Sequence, residues 1–378
     1  MPVPGGTMLT HEEIAEKGSE KMREREAFLD RLRVMATLAV VMLHTATGVM
    51  DATDMSLYPE ENRVFLTAMD LVCWSVPVFL VISGYLFLNP GREIGLGRML
   101  TKYCRRIVLA LVLFGVPYGC LELVAAEGRF RPGMPAEAFV KVLRGESWSH
   151  MWYLYLILLL YAVTPLLKRV LKAVPRWAVG AAALVLLMGC SLLPYLWELR
   201  GAEGLALPGD GIYFFYYICG YLFATAERGR LERAVGKGIL PGLILLLCAG
   251  MAASRLWGDY TLQMAYNYPF TVLLALLLFA WGMGTEERRG AGRGHGTGHF
   301  REQAAALSFT VYLIHPVFLN MAYKFFRVTP LSGAALLPLP AALSLGTFLL
   351  LFFGGTALLS AAFAWVLYRI PPLRKYVL

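Results

Sequence analysis

FLDRLRVMATLAVVMLHTATGVM, residues 28–50, starts charged and then runs from Val34 to Met50 with no Asp, Glu, Lys or Arg. Crossing hydrocarbon as a helix takes about 20 mostly apolar residues, with about 17 as the lower limit. Nine further runs of this kind follow, at 64–88, 107–126, 152–167, 177–197, 211–226, 239–257, 264–284, 304–323 and 341–368. Hydrocarbon cannot hydrogen-bond a backbone, so only helices and closed barrels cross it. These runs lack the apolar–polar alternation of barrel strands. The expected fold is therefore all-α: a polytopic membrane bundle of about ten transmembrane helices.

Composition agrees. Of 378 residues, 58% are hydrophobic and 16% charged, where soluble domains carry about 25% charged residues. The formal charge of +9 is explained by where the bases fall. With the N-terminus in the cytoplasm, 26 of the 35 Lys and Arg lie in cytoplasmic segments, as the positive-inside rule asks. Both termini are then cytoplasmic, and the charge is a topology signal with no nucleic acid implied. Seven of the eight tryptophans lie near helix ends, as in an interfacial belt, and Trp74 lies deeper. The six cysteines show no metal or disulfide spacing and read as small core residues. No cleavable signal peptide is evident.

The chain divides into a cytoplasmic arm (1–27), a membrane domain (28–370) and a short cytoplasmic tail (371–378). The arm reads equally as a surface helix or a solvated extension. The Gly/Arg-rich segment 284–299 reads as a flexible linker; His295 and His299 within it lack a third ligand, and glycines forbid a rigid metal site.

Ionisable groups inside spans are functional candidates. Arg33 and His44 are eleven residues apart, about three turns, so they share a helix face about 16 Å apart along the axis. Asp30 and Thr37 fall near the same line. Together they form a polar stripe leading inward from the cytoplasmic mouth. In the ninth run, Ser308, Tyr312 and His315 again share a face, and Pro316 frees a carbonyl nearby. The plain alternative for either histidine is a hydrogen-bonded core residue. Asp70 is intramembrane, with a buried partner or a role of its own both open. Glu122 reads as a boundary group. Tyr213, Tyr217 and Tyr221 read as a packed aromatic face, and Ser83-Gly84-Tyr85 as a site of close helix approach.

Four stretches, in order and each on a separate span, resemble the acyltransferase-3 family of membrane acyltransferases. They are FLDRLRVMATLAVVMLH (28–44), with its Arg-x10-His spacing; VPVFLVISGYLFL (76–88); HMWYLYLILLLYAVTPLL (150–167); and LSFTVYLIHPVF (307–318). The resemblance covers about 28–368. One departure is KYCRR at 102–106, where many members have Arg-x-x-Arg; Lys102 and Arg105 match it conservatively and Arg106 adjoins. Some members carry an outer esterase-like domain, whereas this chain reads as a stand-alone member.

The resemblance implies an O-acyltransferase of the cytoplasmic (inner) membrane, using acyl-CoA, with acetyl-CoA expected as donor and no metal. The acceptor would be a hydroxyl of a cell-envelope glycan or lipid-linked saccharide. Arg33, Lys102, Arg105 and Arg106 would hold the CoA phosphates. His44 would be the general base, with His315 or Tyr312 holding the acceptor, binding the carbonyl oxygen or passing a proton, and Asp30 beside Arg33 at the site. The competing reading is a transporter or flippase of a lipid-linked or small polar substrate, since pumps also use intramembrane His, Asp and Arg. Against it, no pair of broken helices or inverted halves is visible.

Orientation is directly testable. Glu146→Cys is expected to react with an impermeant maleimide in sealed cells, and Gly294→Cys only after permeabilisation. The opposite pattern would invert the topology.

Overall fold

The structure, a computed structural model, describes residues 11–52, 54–226, 229–258, 265–289, 298–326 and 341–378. Residues 1–10 of the expected arm and His295 of the expected linker lie outside the described residues. Within them there is helix and no strand, and the protein is a polytopic membrane helix bundle.

Among the described residues nine helices are long and apolar enough to span. They are α1 (Ala27–Asp51), α2 (Pro59–Phe87), α3 (Leu96–Glu127), α4 (Ser149–Ala173) and α5 (Arg176–Leu199), then α7 (Ile239–Trp257), α8 (Pro269–Glu286), α9 (His299–Tyr323) and α10 (Thr347–Tyr368). The remaining apolar run, the sixth at 211–226, forms α6 (Gly211–Ala224), with 14 residues. At 1.5 Å per residue it is about 21 Å long, short of a bilayer's ~30 Å core. Its position explains how a short helix is tolerated: Ile212, Phe215, Tyr216, Tyr217 and Gly220 are all buried by neighbouring helices.

Two glycines set that packing. A Cβ on Gly84 would overlap the Tyr217 carbonyl oxygen, and one on Gly220 would overlap the Val81 carbonyl. Backbone thus meets backbone where α2 crosses α6, as small residues permit. Tyr217 is fully buried, and its hydroxyl lies 2.8 Å from Thr164 Oγ1. The tyrosine row of α6 is a packed face, as its spacing suggested.

Local sequence explains the irregular points. α2 breaks into Pro59–Val72 and Ser75–Phe87. Pro77 has no N–H for the Cys73 carbonyl and clashes with it, so the turn falls at Cys73–Trp74. α3 begins at Leu96, eleven residues ahead of its apolar run, and includes a π-turn over Met99–Cys104. α1 continues an unbroken helix that starts at His11, so the arm joins the first span without a bend. α1 is the hub and packs against α2, α8, α9 and α10. Its buried face, including Leu29, Leu32, Ala36, Val40 and Val41, belongs to the main apolar cluster.

Asp70 has a partner after all. Its carboxylate receives Arg255 Nε at 2.6 Å and Nη2 at 3.4 Å, tying α2 to α7 with both side chains buried. Beside them Arg63 Nη1 donates to the Leu256 carbonyl at 3.4 Å. Sequence spacing gave no sign of this pair, because its members are 185 residues apart.

Breaking one member of a buried pair strands the other charge, at a cost of about 3–5 kcal/mol, whereas an apolar replacement of both is often near neutral. Asp70→Leu alone and Arg255→Met alone are each expected to lower thermal stability in detergent strongly. The double variant should recover most of the loss, and additive losses would mean the pair does not couple the helices.

Candidate active site

Two cavities enter the bundle from opposite ends. The larger, about 640 Å³, lies at the end carrying most basic residues. Asp30, Arg33 and Thr37 of α1 face it, so the first three members of the polar stripe share one wall. Arg33 Nη1 donates to Asp30 Oδ1 at 2.9 Å. The Thr37 hydroxyl is buried and makes no hydrogen bond within the protein. Other walls carry Ser83, Arg92, Arg106, Tyr153, Tyr161 and Tyr312.

Of the four bases predicted to grip a phosphate donor, Arg33 and Arg106 line this cavity and Lys102 and Arg105 do not. Arg105 and Arg106 are successive on a helix, hence about 100° apart about its axis, and only one can face inward. Arg105 stands over the Tyr376 ring at 5.4 Å, and Lys102 over Tyr103 at 5.6 Å. Arg92, which precedes α3, occupies the wall instead.

The smaller cavity, about 280 Å³, opens at the other end. His44, Asp51, Glu122, His150, Asn320 and Tyr323 line it. Gly48 lets the Tyr323 ring lie against α1, since a Cβ there would strike the ring. Tyr323 then donates to the Thr45 carbonyl at 2.8 Å. Asn320 Nδ2 bonds the Pro316 carbonyl at 2.8 Å. The polar stripe of α1 is therefore divided: Asp30, Arg33 and Thr37 face one cavity and His44 faces the other.

Beside the smaller cavity, which His44 and His150 line, three imidazoles meet. Ring centroids are 5.2 Å apart for His44–His315, 5.8 Å for His150–His315 and 6.4 Å for His44–His150. His150 and His315 are buried, and His44 is half-buried. His315 Nδ1 lies 3.2 Å from the Val311 carbonyl, one turn back. A carbonyl only accepts, so that nitrogen carries the proton and Nε2 bears the lone pair. His315 Nε2 and His150 Nε2 are both buried without a partner among the described residues.

Aromatic residues hold the cluster in place. Tyr312, which also faces the larger cavity, donates its hydroxyl to the His150 carbonyl. Tyr118 donates to the Leu313 carbonyl at 2.8 Å and stacks on Trp148 at 4.2 Å. His150 escaped identification as a site residue from spacing alone. It sits in the one-turn 3-10 helix Ser149–Met151 ahead of Trp152, where no helical face links it to His44 or His315. The only signal was its place at the head of the HMWYL stretch.

Such a site can abstract and return protons, and its basic cavity can hold an anion. Among the described residues no group of three His, Cys, Asp or Glu is placed to hold a metal ion. A family model described as an acyltransferase domain, of the acyltransferase-3 family, matches residues 26–369. The chain belongs to the acyltransferase-3 family. No curated protein and no solved structure gives a match. The matched stretch contains every residue of the histidine cluster, so the cluster is the candidate active site of this membrane acyltransferase.

Burial separates the three histidines experimentally. Treatment of the protein in nanodiscs with diethyl pyrocarbonate, read by peptide mass spectrometry, is expected to modify His44 and the exposed His299 before His150 and His315. Equal labelling of all four would contradict the closed cluster.

Proposed function

We propose that this acyltransferase moves an acyl group, with acetyl expected, from cytoplasmic acyl-CoA to a hydroxyl of a cell-envelope carbohydrate or lipid-linked saccharide. The membrane would be the cytoplasmic (inner) one. The observation that carries the reading is the histidine cluster: His44 and His150 line the smaller cavity, and Tyr312, packed against the rings of His150 and His315, lines the larger one. One supplies a route for a phosphate-bearing donor and the other a separate route for an acceptor.

Charge favours the donor's assignment to the larger cavity. Arg33, Arg92 and Arg106 line it, and charge-assisted bonds to phosphate oxygens are the strong kind. The basic end is also the expected cytoplasmic end, where acyl-CoA is made. Thr37 Oγ1, buried and unpartnered on the same wall, offers a polar contact for the thin pantetheine arm on its way inward.

In the chemical step His44 takes the proton of the acceptor hydroxyl. The freed oxygen pair attacks the thioester carbonyl carbon. The C–S bond then breaks with its electrons going to sulfur, and the imidazolium returns the proton to that sulfur. An ester and free CoA thiol leave by their separate routes. General-base help of this kind is worth about 10²–10⁴-fold. His315, against His44, and His150 hold the remaining lone pairs of the cluster and can orient the acceptor or relay the proton.

The test is transfer by purified protein in nanodiscs, given isotopically labelled acetyl-CoA and a cell-envelope saccharide fraction. Labelled ester and free CoA thiol should appear together. His44→Ala should keep CoA affinity and lose at least about two decades of kcat. His315→Ala should raise the acceptor KM with a smaller fall in kcat. Absence of labelled ester with any acyl-CoA, or substrate flux into vesicles without transfer, would overturn the reading. A near-normal kcat in His44→Ala would remove the general-base role alone.

A further inference from the structure

Residues 370–378 lie beyond the stretch matched to the family, which ends at 369. α10 stops at Tyr368, and Ile370 is extended at φ −84° and ψ 108°. Pro371 and Pro372 follow; the residue before a proline is pushed out of the helical region, and proline suits a first helical turn. The chain therefore turns and starts a new helix, Pro371–Tyr376.

A tail carrying Arg374, Lys375 and Tyr376 would ordinarily lie in water, yet its last residues are buried. Val377 is 3% exposed and Leu378 4%. Their amides curl back onto one acceptor, the Leu373 carbonyl, at 2.9 and 2.8 Å. The Val377 carbonyl receives Arg106 Nε at 2.9 Å. Arg105 lies over the Tyr376 ring at 5.4 Å. Two neighbouring bases of α3 thus clasp the tail, and this is why Arg105 is turned away from the cavity.

Leu378 and Arg374 line the larger cavity, together with Tyr368. The Arg374 guanidinium stands over the Tyr368 ring at 5.0 Å. Arg374 makes no ion pair among the described residues, and it is exposed at the mouth. Of the two acidic groups on the cavity wall, Asp30 is held by Arg33. Arg369, five residues earlier, behaves differently: it stacks on the half-exposed Trp365 at 4.0 Å and is not among the cavity's lining residues.

We propose that the tail, residues 371–378, completes the donor site of this chain, with Arg374 binding a donor phosphate and Val377–Leu378 forming a wall of the mouth and orienting Arg106. The inference rests on the acyl-CoA reading of the cavity. It makes the tail part of the substrate site where a solvated topogenic segment was expected.

Binding of free CoA to the full chain in nanodiscs, measured by titration calorimetry, tests it. Arg374→Gln is expected to weaken CoA about tenfold, the effect of losing one charge-assisted contact. Affinity for pantetheine, which lacks phosphates, should not change. Arg374→Lys should restore part of the loss, and the salt dependence of CoA binding should become shallower in Arg374→Gln. Arg369→Gln should bind like the wild type, and a chain ended after Ile370 should bind CoA at least as weakly as Arg374→Gln. Should that shortened chain fail to fold, the point variants alone carry the decision. If the wild type binds CoA and Arg33→Gln weakens it, but Arg374→Gln matches the wild type, the inference is overturned while the donor reading stands. Tighter CoA binding by the shortened chain would make the tail a plug and also overturn it. If the wild type fails to bind CoA, the donor reading falls and the inference with it.

Discussion

Hydrocarbon offers no hydrogen bond, and every polar group carried into it must find a partner inside the protein or in a wet cavity. That constraint selects helices and explains the close approach of α2 and α6, where glycine lets backbone lie on backbone. It also sorts the ionisable residues. Asp70 and Arg255 satisfy each other and are closed off. The groups on the two cavities reach solvent or, on the present reading, substrate. A charge in the bundle that did neither would cost several kcal/mol.

Much of this was legible in sequence because the relevant signals are local. The apolar runs gave the spans, and α6 differs only in length. Arg33, Thr37 and Asp30 share one helix within about two turns, so their spacing sufficed to place them on one wall. Tyr312 and His315 likewise share α9. What could not be read depends on which helices become neighbours. Arg255 reaches Asp70 across 185 residues. His150 reaches the cluster from a 3-10 turn with no helical periodicity. The division of the α1 stripe between two cavities depends on the helices packed around α1, α9 among them, which no pattern within α1 encodes.

The bases at the inner rim illustrate the same limit. Lys102, Arg105 and Arg106 are equivalent as topology signals, since the positive-inside rule counts charges and ignores their direction. Their side chains part company in three dimensions. Arg106 enters the cavity wall, Arg105 turns to Tyr376 and Lys102 to Tyr103. Arg92 and Arg374 look in sequence like ordinary flanking charges, yet both line the cavity. Charge count decides orientation; only packing decides which charges can meet a ligand.

Burial alone does not separate structural from chemical polar groups, and what each buried group can reach matters as well. Asp70, Thr164 and Lys168 are as buried as the site residues, and each has found partners: Arg255, the Leu160 carbonyl and Tyr217, and the Asn89 and Arg92 carbonyls. Thr37 Oγ1, His150 Nε2 and His315 Nε2 have none among the described residues, as is true of eight other buried atoms, Ser75 Oγ, Ser191 Oγ and Ser360 Oγ among them. An unmet buried polar atom costs about 1–3 kcal/mol unless water or a ligand meets it, and Thr37 and His150 stand on cavity walls where one can. A transferring site needs such atoms. A nitrogen already bonded cannot take a proton from an acceptor, and a hydroxyl already bonded cannot hold a passing arm. The fixed groups around them, Tyr312 on the His150 carbonyl and Tyr118 on the Leu313 carbonyl, spend their hydrogen bonds on the backbone. They hold the imidazoles in position and leave Nε2 of His150 and of His315 without a partner among the described residues.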